Sequence, residues 1–160
     1  MVALGSGIRS TSAAPVHTTI NQVAAKDNAT VDGTKVAAGT DAQVVTDPSW
    51  AYNDKVGYVF PSSDPVVVSD KTQTGSYYGD QPQSHDAFTL YFDHGVKPTG
   101  AGYEYIVLPG ATPEQTAAWK KAADPLVKTW GEGAKKAGAD PDAALADLKA
   151  SLKKYNALAE

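Results

Sequence analysis

The chain has 160 residues, 42% of them hydrophobic and 20% charged, with a net charge of −4 and a pI near 5.3. That is enough for one domain burying roughly 70% of its unfolded surface, and it carries no basic excess with which to hold a nucleic acid. Without a cysteine there is no disulfide, thiolate nucleophile or Cys-ligated zinc, and no apolar run approaches the roughly 18 residues of a membrane span.

The opening stretch MVALGSGIRS lacks a charged leader and a long apolar segment, so no signal peptide is expected in this chain. Its LGSGI contains G-x-G but not G-x-G-x-x-G, and no helical pattern follows, which argues against a nucleotide loop. Up to residue 110, short Val-, Thr- and Tyr-rich runs alternate with turn signals, the pattern of an antiparallel sandwich. Strands are expected near 2–4, 16–22, 29–37, 43–46, 56–60, 65–69, 87–93 and 103–108. Asp32-Gly33, Gly39, Asp47-Pro48, Pro61 and Asp64-Pro65 punctuate them, and Asp32-Gly33 suits a tight hairpin because glycine accepts positive φ. Asn28-Ala29-Thr30 has the form of a glycosylation acceptor.

After Pro109 the composition turns helical. Thr112 is placed as an N-cap, Pro113 as the first helical residue and Gln115 as the partner of a capping box. Trp119, Ala123, Leu126, Trp130 and Ala134 recur at helical spacing, which reads as a core stripe, and Pro125 is expected to kink or restart the helix. Asp140-Pro141 opens a second helix with Leu145, Leu148, Leu152 and Tyr155 on one face. The chain therefore divides into a β-sandwich segment over 1–110 and a helical hairpin over 111–160 that packs on it, a mainly-β fold with a C-terminal α portion. Charge divides too: the first 110 residues hold 11 acidic and 6 basic side chains, net −5.

Few side chains look like chemistry. His85, Asp86, Asp93 and His94 bracket one strand, but nine steps at about 3.3 Å separate the two histidines by roughly 30 Å, too far for one metal ion. No metal site is expected, and nothing calls for a cofactor. Asp93-His94 admits two readings: a base with its orienting partner, or a strand end in which His94 bonds loop backbone and Asp93 accepts amides of a turn permitted by Gly95. Neighbouring strand residues point to opposite faces, which favours the structural turn at Asp93, His94 and Gly95. Tyr103 and Tyr105 share a strand face with Val107; such a strip either stacks on sugar rings or packs across strands. Trp50 and Tyr52 pose the same choice.

Taken in order, these stretches resemble polysaccharide lyase family 8, the hyaluronate, chondroitin AC and xanthan lyases. VALGSGIRS followed by VHTTINQ is similar to a strand pair of that family's β-domain. SWAYNDKVGYVFP resembles its W-x-x-x-D-x-x-G-Y-x-F stretch through Trp50, Asp54, Gly57, Tyr58 and Phe60. QTGS at 73–76 matches part of a Q-x-G-x-W segment, and FTLYFDHGVKP with GYEYIVLPG is similar through Asp93, His94, Gly95, Pro98, Tyr103, Tyr105 and Pro109. Tyr77 and Tyr78 stand where the family has tryptophan, and its following Ile-Asn pair is missing. The tail more weakly resembles the C-terminal helices of periplasmic solute-binding proteins, so the chain reads as a fragment, a fusion or an artificial join.

The resemblance implies a partial super-sandwich, starting partway through the family's β-domain, in an extracellular or periplasmic protein. It also implies an acidic polysaccharide as the polymer and β-elimination next to a uronate carboxylate as the reaction. The asparagine, histidine, tyrosine and arginine that perform it belong to a helical toroid domain, and no position here matches their motifs. The expectation is a non-catalytic segment that supports the substrate cleft, with the catalytic helical domain as its missing partner. The alternatives are a carbohydrate-binding module using Trp50, Tyr103 and Tyr105, and a lyase with a relocated site at His94.

Overall fold

The computed structural model of the chain describes residues 1–136 and residue 138. The second helix expected after Asp140-Pro141, with Leu145, Leu148, Leu152 and Tyr155, lies outside the described residues, as does the side chain of Trp130.

Among the described residues ten strands precede one helix: β1 (Val2–Arg9), β2 (Pro15–Ala24), β3 (Thr30–Val31), β4 (Thr34–Lys35), β5 (Thr40–Val45), β6 (Trp50–Asn53), β7 (Val56–Val59), β8 (Val66–Tyr77), β9 (Gln81–Val96), β10 (Thr99–Pro109) and α1 (Pro113–Lys136). They form two antiparallel sheets, one in the order β1-β10-β7-β6-β3-β4 and the other β2-β9-β8-β5. The expected β-sandwich is the fold.

The core lies between the sheets, where period-2 alternation turns one side of each strand inward. Phe88, Leu90 and Phe92 of β9 and Val66 and Val68 of β8 meet Ala51, Tyr58 and Phe60 from the opposite sheet. The Phe, Leu and Val side chains among them each contribute roughly 1.5–3 kcal/mol on full burial. The segment expected as one strand over 29–37 is a small hairpin, β3 and β4, closed at Asp32 and Gly33, both at positive φ. β6 has no counterpart among the expected strands, because its WAYN sits between two turn signals and is only four residues long.

β8 and β9 run far beyond the expected 65–69 and 87–93. They pair continuously from Val67↔Tyr91 out to Tyr77↔Gln81, an arm whose outer half is mostly exposed. Lys71, Thr72, Gln73 and Thr74 show no apolar alternation there, since neither face of that stretch is buried in the core.

α1 lies on the outer face of the six-stranded sheet over β6 and β7. It opens with the expected capping box: Gln115 N donates to Thr112 Oγ1 at 3.2 Å and Thr112 N to Gln115 Oε1 at 2.9 Å. The helix then runs through residue 125 to Lys136 without the restart that was one of the two expectations there. A proline removes one N–H from the ladder, and the strong helix formers flanking it, Ala122, Ala123, Leu126 and Lys128, sustain the rest. Trp119, expected in the core, is 49% exposed.

Candidate functional site

The residues singled out for chemistry gather at three places. The first is the end of β9. Pairing steps from His17↔Asp93 to Pro15↔Val96, so three residues of β9 oppose two of β2 and the strand bulges. Gly95 supplies the bulge with φ 73, and its N–H donates to Asp93 Oδ1 at 2.8 Å. Asp93, His94 and Gly95 therefore form a bulge within β9, with the strand continuing to Val96. His94 Nε2 is hydrogen-bonded to Thr18 Oγ1 at 2.8 Å, a strand-to-strand link where a bond to loop backbone was expected. Burial holds the His94 pKa below the usual imidazole value, against the opposing pull of the Asp93 carboxylate. Asp93 faces His17, with Nε2 and Oδ1 3.5 Å apart, and the His17 ring lies over Tyr91 at 4.4 Å.

The second place is the inner face of β10. Tyr103 and Tyr105 are half-buried there, 6.0 Å apart between ring centres. Both lie against Phe92, Tyr103 nearly parallel to it at 6.2 Å and Tyr105 tilted at 6.2 Å. The Tyr103 ring crosses over Gly5 so closely that a Cβ there would stand 2.3 Å from it. Next in the same layer is Tyr58, whose hydroxyl accepts from Asn21 Nδ2 at 2.5 Å. Desolvation, with Tyr105 nearby, pushes its pKa up to about 12, against the lowering effect of the Asn21 bond.

The third place is Trp50. Val59 stands opposite Trp50 on one side and opposite Ile106 on the other, so the three share a sheet face. Ile106 alternates with Tyr105, which puts Trp50 on the outer face and the two tyrosines on the inner one. The three aromatics proposed as a sugar platform are not brought together. Trp50 is held by Asp32, whose carboxylate accepts from the backbone N–H of Ser49 and of Trp50.

Gly57 is a further position with a demanding environment. A Cβ there would lie 2.1 Å from Thr116 Oγ1, so only glycine lets α1 settle on β7. Thr116 is fully buried and its hydroxyl donates to Thr112 O at 2.8 Å. Asn21, Thr18 and Thr116 are not singled out by the sequence; their partners are 37, 76 and 59 positions away, and no local pattern marks them.

Among the described residues no three His, Asp or Glu side chains gather as a metal site, and no helix is long and apolar enough to cross a membrane.

Residues 1–120 match the family described as polysaccharide lyase family 8, super-sandwich domain. The chain is 32% identical over 148 residues to xanthan lyase of Bacillus sp. (strain GL1), covering 80% of this chain and 16% of that protein. It is 35% identical over 136 residues to hyaluronate lyase of Thermasporomyces composti, covering 78% of this chain and 17% of that one. Among solved structures, Paenibacillus xanthan lyase superposes with TM-score 0.67 at 25% identity over 75% of this chain and 14% of its own. Chondroitinase AC lyase, solved with oligosaccharides, does so with TM-score 0.66 at 30% identity over 74% of this chain and 19% of its own. The chain spans about a sixth of the length of these curated relatives.

Proposed function

We propose that this chain, which belongs to polysaccharide lyase family 8, is a scaffold segment that braces a polysaccharide-cleaving helical domain and helps wall its cleft, without performing the elimination itself. One observation carries the reading: the polar ends of the motif residues are already engaged within the sandwich. His94 is bonded to Thr18, Tyr58 to Asn21, and Asp93 to the Gly95 amide. A base or acid acting on a sugar needs its reactive atom free and aimed at the substrate. Here Tyr58 ties the two sheets together through Asn21, and His94 ties β9 to β2 within one sheet.

The relatives are named for xanthan, hyaluronate and chondroitin, so the polymer class is an acidic polysaccharide, met outside the cell or in the periplasm. With 11 acidic and 6 basic side chains in residues 1–110, the sandwich gives such a polymer little charge attraction. Its contribution to a cleft is shape and rigidity.

The test is the ultraviolet absorbance of the unsaturated uronate product, with purified chain mixed in turn with hyaluronan, chondroitin sulfate and xanthan. The expected trace is flat beside a full-length lyase control. A rise that disappears in His94→Ala would sink the scaffold reading and make this a minimal lyase with its site on the β9 bulge.

A further inference from the structure

β1 ends the six-stranded sheet, and among the described residues no strand pairs with its outer edge. Met1 exchanges both backbone bonds with Val107, at 2.7 and 2.9 Å. Val2, Ala3, Leu4 and Gly5 follow in register opposite Ile106, Tyr105, Glu104 and Tyr103. Antiparallel pairing alternates, so the N–H and C=O of Ala3 and Gly5 turn towards β10, and those of Val2 and Leu4 turn to the open edge. The side chains of Val2 and Leu4 stand on the outer face with Ile106 and are 64% and 61% exposed. Open edges are commonly guarded by a charge, a proline or a bulge, and the other three edges have such guards. β4 is two residues long and ends on Lys35, β5 carries Asp41 with a register shift beside it, and β2 starts at Pro15 and shifts register twice. On β1 the irregularity comes only after Gly5 and the charge only at Arg9, which leaves residues 2–5 bare.

We infer that two copies of the chain pair along this edge, β1 against β1, antiparallel about a twofold axis at Ala3. The stretch is complementary to itself. Centring on Ala3 sets Val2 opposite Leu4 of the second copy and Leu4 opposite its Val2, so every outward N–H of these residues meets an outward C=O. Ala3 then meets its own copy at a position without hydrogen bonds, where Cα atoms approach to about 4.5 Å and a methyl side chain fits. On the outer face, each row across the joined sheets reads Ile106, Val2, Leu4, Glu104, which brings the exposed Val2 and Leu4 into cross-strand contact. The two Glu104 carboxylates stay roughly 15 Å apart, beyond the screening length at physiological salt. No charged side chain in residues 2–5 meets its like at the seam.

The test is the mass of the full chain in solution, read by light scattering over a concentration series. The expected result is a rise with concentration to twice the 16.7 kDa of one chain. Leu4→Lys puts a charge on an exposed side chain at the seam. It is expected to raise the dissociation constant at least tenfold, with circular dichroism unchanged from the parent. Val44→Lys puts the same charge on β5, where Val44 is just as open at 60%, and should leave the dimer intact. Ala3→Cys supplies the sole thiol of each chain and should close a disulfide between copies on mild oxidation, whereas Val44→Cys should not. A monomer throughout the series overturns the inference. So does a dimer that Leu4→Lys and Val44→Lys weaken alike, or one that Ala3→Cys fails to cross-link, since the seam then lies elsewhere. Should Leu4→Lys not fold, the Ala3→Cys cross-link still decides. None of these readouts involves polysaccharide, so they stand apart from the lyase assay.

Discussion

Gly57 and Tyr58 are neighbours that face opposite ways, and each makes a demand that can be measured. On the outer face, Gly57→Ala drives a methyl to within 2.1 Å of the Thr116 hydroxyl and 2.8 Å of its Cγ2. Thr116 has little room to yield, since it is fully buried and tied to Thr112 O. The substitution is expected to cost about 1–3 kcal/mol in urea unfolding, with Thr116→Ala in the same chain recovering part of the loss. If the two substitutions simply add, α1 does not rest on Gly57. On the inner face, Tyr58 has a folded pKa of about 12, against about 10 in an unfolded chain. The folded state thus holds this proton more tightly, so stability is intact below about pH 10 and falls as pH rises from there towards the folded pKa. Tyr58→Phe should lose about 1 kcal/mol near neutral pH by leaving Asn21 unpaired, and should decline less steeply between about pH 10 and 12 than the parent. Urea midpoints near pH 8 and near pH 11 separate the two effects. A parent and variant with parallel alkaline limbs would show that Tyr58 is not the group responsible. Site legibility follows the same division. Asp93 and Gly95 could be read from sequence because they are two residues apart, and a carboxylate beside a glycine predicts a local N–H bond. Asn21 and Thr18 could not, because what they do is fixed by strands that meet only in the fold.

At the scale of elements, what was legible depended on whether the determinants are local. The start of α1 was fully legible, since a capping box needs only Thr112, Pro113 and Gln115. Thr112→Ala removes the acceptor for the Gln115 amide and is expected to cost about 0.5–2 kcal/mol. Thr112→Ser should restore most of it, as read by thermal unfolding; a serine no better than alanine would deny the cap its role. The strand over 87–93 was legible because Phe88, Leu90 and Phe92 are buried on one face and alternation shows. The outer arm of β8 and β9 was not, because alternation records burial and that arm has little. The same lack of burial gives a dynamic expectation. Amides of residues 73–76 and 83–85 should exchange faster than those of residues 66–69 and 88–91 by a hundredfold or more, about 2.7 kcal/mol of protection. Uniform protection along both strands would mean that the arm is braced by something beyond its own ladder.

For the whole molecule the decisive feature is how often the chain changes sheet. Only the β3–β4, β6–β7 and β8–β9 links join neighbours within a sheet; the other six connections cross the sandwich. β1, first in sequence, pairs with β10, the last strand among the described residues, so the six-stranded sheet cannot close until the whole sandwich segment is in place. Neither sheet can then be removed while its partner keeps its strands ordered, and both draw on one core. Leu90 of β9 tests this, being wholly buried and contributed by the four-stranded sheet. Leu90→Ala leaves a cavity and is expected to cost about 2–5 kcal/mol. If the sandwich unfolds as one unit, amides of β6 and β7 in the other sheet lose protection by the same free energy as those of β8 and β9, roughly a hundredfold in exchange rate for about 3 kcal/mol. If the loss stays within β2, β8 and β9, each sheet has its own stability, and the sandwich would brace a neighbouring domain through one face at a time. A shared loss is what a rigid scaffold requires, because a load on either face is then resisted by the whole core.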